Sequence, residues 1–201
     1  TLLAHLWASL MRVILGFLIA VVIGIPVGLM MGFNPYARAI ISPIFNLFKT
    51  MPPIAWISLA ILWLGIGEAS KIFIIFIGAI IPVIINTFNG IRLVDPELYD
   101  AIRVLGANKK EELIEVTFPA AFPAIFAGMQ IALSMAWTTV LAAELVGARE
   151  GMGFIIVMGM NFSRPALIVA GMVVIAITAF AITVLVSWLE RRVTPWKVDI
   201  N

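Results

Sequence analysis

The sequence contains no cysteine, a single histidine and two tyrosines, and only 12% of its 201 residues are charged. Without cysteine there can be neither a disulfide nor a thiolate metal site. The one imidazole, His5, stands at the outer end of the first apolar run and reads as an interfacial side chain, so an intramembrane Ser–His pair is unsupported. The three aspartates, Asp95, Asp100 and Asp199, all fall outside the apolar runs, which removes an intramembrane aspartyl dyad. No G-x-x-x-x-G-K-[ST] loop occurs, so the chain cannot itself cradle nucleotide phosphates. No repeated ring of charge or carbonyls of the kind a channel filter needs stands out. A net charge of +2 on scattered basic residues gives no nucleic-acid footprint.

What is present is hydrophobic sequence, 63% of all residues, with a mean hydropathy of +1.13. This is the composition of an all-α integral membrane protein. A span needs about twenty mainly apolar residues. Five stretches meet that length, at about 8–32, 40–64, 72–91, 122–146 and 166–189, and together they make a single transmembrane domain over 1–201. The run at 151–162 is too short to cross and is expected to be re-entrant or interfacial. The chain begins at Thr1 without methionine or a cleavable-signal pattern, so an upstream segment, and with it a sixth N-terminal span, is expected to be missing.

Basic residues near span ends set the orientation. Arg38, Arg92, Arg103, Lys109, Lys110, Arg191, Arg192 and Lys197 fall on one side, against Arg12, Lys71, Arg149 and Arg164 on the other. The first side is therefore cytoplasmic. Five spans place Thr1 outside and Asn201 inside, and six would place both ends inside. Glu190, Arg191, Arg192, Trp196 and Lys197 anchor the last span at the inner surface.

Along the spans, Gly16, Ala20, Gly24, Gly28 and Gly32 recur every four residues, a small-residue stripe that admits a second helix closely, within the chain or across a subunit seam. Pro26 should bend that helix. Pro52-Pro53 interrupts the second span near Met51, and irregular backbone at membrane depth is tolerated only against protein or a water-filled cavity. Asn46, Lys49 and Thr50 then either face a polar path or, for Lys49, snorkel to headgroups. Asn86, Thr87 and Asn89 lie in the inner half of span three, and Gln130, Ser134 and Thr138 recur at four-residue steps on span four. Two readings stay open for this polar face: interhelical hydrogen bonds, or the wall of a translocation path with Thr50, Met51, Asn86, Gln130, Ser134 and Thr138 as its candidates. Trp56 and Trp63 are expected to pack or to mark interface depth. Glu144, and Arg149 beyond it, fall at the outer interface, as a solvated helix end or as an outer gate or contact for an external partner.

The polar island Asp95–Pro123 interrupts this apolar sequence. Asp95 is a good N-cap, Pro96 suits the first helical position, and Leu98, Ala101, Ile102 and Leu105 form one apolar stripe. Gly106 should stop the helix in a left-handed turn. Asn108 and Glu111 read as a capping box for a second short helix, expected to end before Pro119. Helix, glycine corner, helix is too short to make its own core, so the stripe should dock into a groove on another protein.

At these residues the chain resembles the membrane subunits of ATP-binding-cassette importers. Their cytoplasmic signature is Glu-Ala-Ala, three residues, Gly, nine residues, then Ile-x-Leu-Pro, and here Asp100-Ala101-Ile102, Gly106 and Val116-Thr117-Phe118-Pro119 stand at the same spacing. Met51–Trp56, Leu62–Lys71, Ala142–Ala148 with Gly151-Met152-Gly153, and Arg191–Trp196 are similar to the nitrate, sulfonate, taurine and bicarbonate branch, and the C-terminal end most resembles taurine and sulfonate members. The resemblance implies a type I importer permease in a bacterial inner membrane, with no catalytic or metal site and no cofactor of its own. It also implies a permease dimer, expected to be a homodimer, surrounded by lipid. A cassette ATPase dimer holding ATP and Mg lies below, and a periplasmic binding protein delivers a small anion from above. Residues 95–119 would be the coupling loop, with Leu98, Asp100, Ala101, Ile102, Arg103, Leu105, Gly106, Ala107 and Lys109 against the ATPase. The competing class is a membrane scaffold or channel that uses the same loop to hold a cytosolic partner.

Overall fold

The glycine stripe of the first span decides how the helices assemble. In the computed structural model, which describes residues 1–195, α1 (Leu2–Phe33) lies along α4 (Glu68–Arg92). Gly16 meets Ile75, Gly24 meets Val83, Gly28 meets Thr87 and Gly32 meets Ile91. The partner advances in step with the glycine, so α1 and α4 run parallel and the stripe is consumed inside one chain. A Cβ on Gly28 would come within 2.6 Å of the Thr87 Cβ and 3.0 Å of the Ile84 carbonyl oxygen. Gly28→Ala is therefore expected to lower stability by about 1–3 kcal/mol, the usual cost of overpacking. Gly67→Ala should be neutral, because nothing lies within 4 Å of a Cβ there and its backbone is extended. Thermal unfolding of the detergent-purified protein checks the pair.

The opposite face of α4 packs on α7 (Phe118–Leu145) with the reverse order: Gly78 against Thr139, Asn86 against Gly128, Gly90 against Ala124. These two helices are antiparallel. The main core, Val13, Ala20, Ile75, Ala79, Val83, Ala132, Ala136 and Trp137 among others, lies where α1, α4 and α7 meet. Small residues on all three helices bring the backbones close enough for dispersion contacts to hold the bundle where no hydrophobic driving force acts between helices.

The second span is broken. α2 (Pro35–Lys49) ends at Thr50, Pro52 is extended, a 3₁₀ turn covers Pro53–Ala55, and α3 (Trp56–Leu64) leaves at 82° to α2. The two prolines lack the N–H groups a continuous helix would need. Among the described residues, four helices are long and apolar enough to cross a membrane, or five if the bent pair counts as one span. α1 begins at Leu2, ahead of its expected start, and at 1.5 Å per residue reaches about 48 Å, beyond the ~30 Å hydrocarbon layer. α8 (Met152–Asn161) is short and wedged between α7 and α9 (Pro165–Val193), and α9 leaves most of its surface open to lipid.

One boundary differs from expectation. After α5 (Pro96–Val104), α6 (Lys109–Glu111) does not stop before Pro119 but continues through a π-helical stretch, Glu112–Thr117, directly into α7. The wider winding accommodates the proline ring that would clash in a regular turn. Thr117 Oγ1 donates to the Glu112 carbonyl at 3.2 Å, giving that oxygen a partner within the widened turn. Among the described residues there is no strand. Trp196, Lys197 and Asp199, which entered the expectations for anchoring and orientation, lie outside the described residues.

Candidate functional site

Three places carry polar chemistry, and each is built by a local feature of the chain. The first is the corner between α5 and α6. Asp95 Oδ1 accepts from the Glu97 N–H at 2.9 Å, opening α5. Gly106 has φ +86°, its N–H donates to Arg103 O, and the Ala107 N–H reaches back to Ile102 O at 3.2 Å, closing it. Asn108 Oδ1 accepts from the N–H groups of Lys110 and Glu111 while Glu111 Oε2 accepts from the Asn108 N–H at 2.7 Å, a complete capping box. The two arms are braced: Arg103 donates twice to Glu112, at 2.7 and 3.0 Å, and Tyr99 bonds Thr117 at 2.9 Å. The Glu112 carboxylate raises the Arg103 pKa further above its ordinary value. The corner is therefore shaped before any partner arrives, and it holds Val104 and Leu105 with 87% and 85% of their surfaces bare.

The second place is the break in span two. A cavity of about 370 Å³ opens there between Lys49, Met51 and Pro53 on one side and Pro82, Asn86 and Met135 on the other. Asn86 Nδ2 donates to the Pro82 carbonyl at 2.9 Å.

The third place is the outer end of the bundle. Glu144, 1% exposed, accepts from Ser9 Oγ, Arg12 Nη1 and the Gly153 N–H at 2.7–2.9 Å. Arg12 is shared with Glu68, which also pairs with Lys71, and its Nη1 reaches the Glu150 carbonyl. Met152 N–H donates to Ser9 Oγ and Gly151 N–H to His5 Nδ1. The N–H groups of Gly151, Met152 and Gly153, which no helical carbonyl can satisfy, thus find acceptors on α1 and α7. Gly151, at φ +123°, cannot be replaced cheaply, since a Cβ would stand 2.4 Å from the Glu144 carboxylate.

A family model described as "binding-protein-dependent transport system inner membrane component" matches residues 20–198. The chain belongs to this family. The taurine transport system permease protein TauC of Escherichia coli is 40% identical over the whole chain, which covers 73% of that protein. The nitrate import permease protein NrtB of Synechocystis is 35% identical over 95% of the chain and 70% of its own length. A solved structure of the MetNI methionine ABC transporter in an inward-facing conformation superposes with a TM-score of 0.77 over 96% of each chain at 23% identity, which establishes the fold as that of a type I importer permease. The protein is an inner-membrane ABC importer permease.

The permease distributes its expected site residues unevenly. Met51 and Asn86 share the cavity at the break, with Thr50 beside them bonding its own Leu47 carbonyl at 2.8 Å. Gln130 does not join them: its amide donates to Glu190 at 2.9 Å, so it braces α7 to α9. A half-buried amide and a buried carboxylate on facing helices satisfy each other, which turns Gln130 away from the face that Ser134 and Thr138 occupy. Those two hydroxyls donate to carbonyls one turn back on α7, at 3.2 and 3.1 Å, and stay exposed. At the corner, Leu98, Asp100, Ala101, Arg103, Leu105, Gly106 and Lys109 are exposed, whereas Ile102 and Ala107 are half-buried.

Glu144 is a correction: neither a solvated helix end nor a surface contact, it is enclosed because the unsatisfied N–H end of α8 and the Arg12 guanidinium close on it. Arg149 remains exposed, at the rim of an open cavity of about 620 Å³ with Glu68, Lys71 and Glu150. His5 is a hydrogen-bond acceptor rather than a free interfacial ring. Arg12 and Lys71, counted as outer surface charges, are both buried and paired. One signal pointed to Arg12: a guanidinium three residues beyond Ser9 within an apolar helix must have a partner.

Proposed function

We propose that this permease, paired with a second copy of itself, forms the membrane path of an ATP-driven importer of a small anion, taurine or another sulfonate first among them. The observation that carries the reading is the corner: a pre-shaped projection with bare Val104 and Leu105, braced by Arg103–Glu112, that no other described residue covers. An apolar pair so exposed on a rigid mount suits a groove on a soluble ATPase, which would hold the ATP and Mg that this chain has no loop to bind. Leu98, Asp100, Ala101 and Lys109 flank that contact. The continuous helix from Lys109 to Leu145 then joins the corner to the Glu144 node, so displacement at one end is delivered at the other. A periplasmic binding protein would dock on the outer surface around Arg149. Identity to TauC across the full chain supports a sulfonate, with nitrate and bicarbonate the alternatives.

Proteoliposomes carrying the permease, its ATPase and its binding protein test the reading. Uptake of taurine or ethanesulfonate should require ATP inside and binding protein outside, and should exceed uptake of nitrate and bicarbonate. Preferred uptake of nitrate or bicarbonate would move the substrate within the same machinery. Flux without ATP would replace the importer by a channel.

A further inference from the structure

We propose that Lys49 is the cation that the transported anion meets inside the membrane, an inference that rests on the importer reading above. Lys49 lines two cavities at once. One is the cavity of about 370 Å³ at the span-two break, whose only other amide or charged side chain among the described residues is that of Asn86. The other, of about 230 Å³, holds Ser42, Asn46 and Asn89. Among the described residues, no aspartate or glutamate lines either cavity. Among the described residues, no carboxylate lies within ion-pair distance of the Lys49 ammonium, in contrast to Arg12 and Lys71, which are both neutralised at the outer node.

Depth gives this charge its meaning. Both cavities include Ile85 on α4, which at 1.5 Å per residue stands about 10 Å short of Arg92 at the helix end. Lys49 is exposed and borders both of these cavities, and an ionisable group beside a cavity that reaches this level faces the cavity or a partner rather than hydrocarbon. The backbone around it is irregular, with α2 ending at Lys49 and the extended Pro52 following, so the ammonium stands at a hinge where the wall of the bundle opens. A compact anion such as a sulfonate group finds there one full positive charge, amide donors from Asn46, Asn86 and Asn89, and no competing carboxylate. One unpaired cation with neutral donors attracts an anion without the several fixed contacts that would trap it.

A lipid phosphate offers the same chemistry, so the test separates the two. The complete transporter would be reconstituted in vesicles of phosphatidylcholine alone and in vesicles that also contain phosphatidylglycerol, with ethanesulfonate, taurine, nitrate and bicarbonate offered singly. With the anion that the wild type imports, Lys49→Gln is expected to lower uptake about tenfold, the scale of one lost charge-assisted hydrogen bond. Lys49→Glu should lower it further and Lys49→Arg should retain it, in both kinds of vesicle. That order of charge is what a purely structural lysine would not produce, and co-purification of the ATPase with each variant shows that assembly is intact. Wild-type rates in Lys49→Gln, or a defect confined to vesicles with phosphatidylglycerol, would overturn the inference while leaving the importer reading in place. A wild type that imports no anion at all would sink both.

Discussion

Alanine in place of Glu144 is expected to destabilise the permease by about 3–5 kcal/mol, the loss that follows when one partner of a buried ion pair is removed. The carboxylate is wholly enclosed and collects three donors from two elements: Ser9 and Arg12 of α1, and the Gly153 N–H at the start of α8. Truncation leaves the guanidinium with Glu68 and Glu150 but without its one fully buried carboxylate, and strands the Gly153 N–H in a site sealed from water. Glu144→Gln keeps the shape and one acceptor oxygen but turns an amide NH₂ toward donors, so a smaller loss of about 1–3 kcal/mol is expected. Thermal unfolding in detergent measures both. Pairing Glu144→Ala with Arg12→Ala should give less than the sum of the single losses, because both single changes remove the same Arg12–Glu144 contact. Wild-type unfolding in Glu144→Ala would mean that the node is filled by water at no cost and carries no structural weight.

The contrast between this node and the cytoplasmic corner shows which parts of the architecture are legible without coordinates. Asp95, Gly106 and the Asn108–Glu111 box act within two to three positions of themselves, so spacing alone exposes them. The Pro52-Pro53 break is equally local, since the missing N–H groups belong to the residues in question. Arg12 and Glu144 are 132 positions apart, and nothing in the composition near either tells one of the other. Counting charges at span ends assumes they meet water, and that assumption fails wherever two ends meet each other first. Pro119 misled for a different reason. The rule that proline ends a helix presumes regular winding, and the π-helical stretch ahead of it removes the presumption. Gln130 shares a spacing with Ser134 and Thr138 but turns to Glu190, because satisfying a buried carboxylate outweighs keeping to a face.

The second large effect belongs to the corner. Leu105→Asp is expected to abolish ATP-driven uptake while leaving the permease as stable as wild type. Leu105 is 85% exposed, so an aspartate there costs little in the isolated chain, but under the proposed docking it would carry an unpaired charge into an apolar groove of the ATPase. An interface built on a few exposed apolar anchors loses about 2 kcal/mol or more when one is removed, enough for at least a tenfold fall in affinity for the ATPase. Gly106→Pro attacks the same contact through its shape. Proline is held near φ −65° where the corner needs +86°, and it deletes the N–H that closes α5 on Arg103 O, so Val104 and Leu105 would be re-aimed. Gly106→Ala keeps that N–H and bears only the left-handed penalty of about 1–2 kcal/mol, so it should retain partial uptake. ATPase co-purification should follow the same order, wild type above Gly106→Ala above Gly106→Pro. If Leu105→Asp held its ATPase and imported at the wild-type rate, the corner would have no grip on the motor. The long helix from Lys109 to the Glu144 node would then have nothing to transmit.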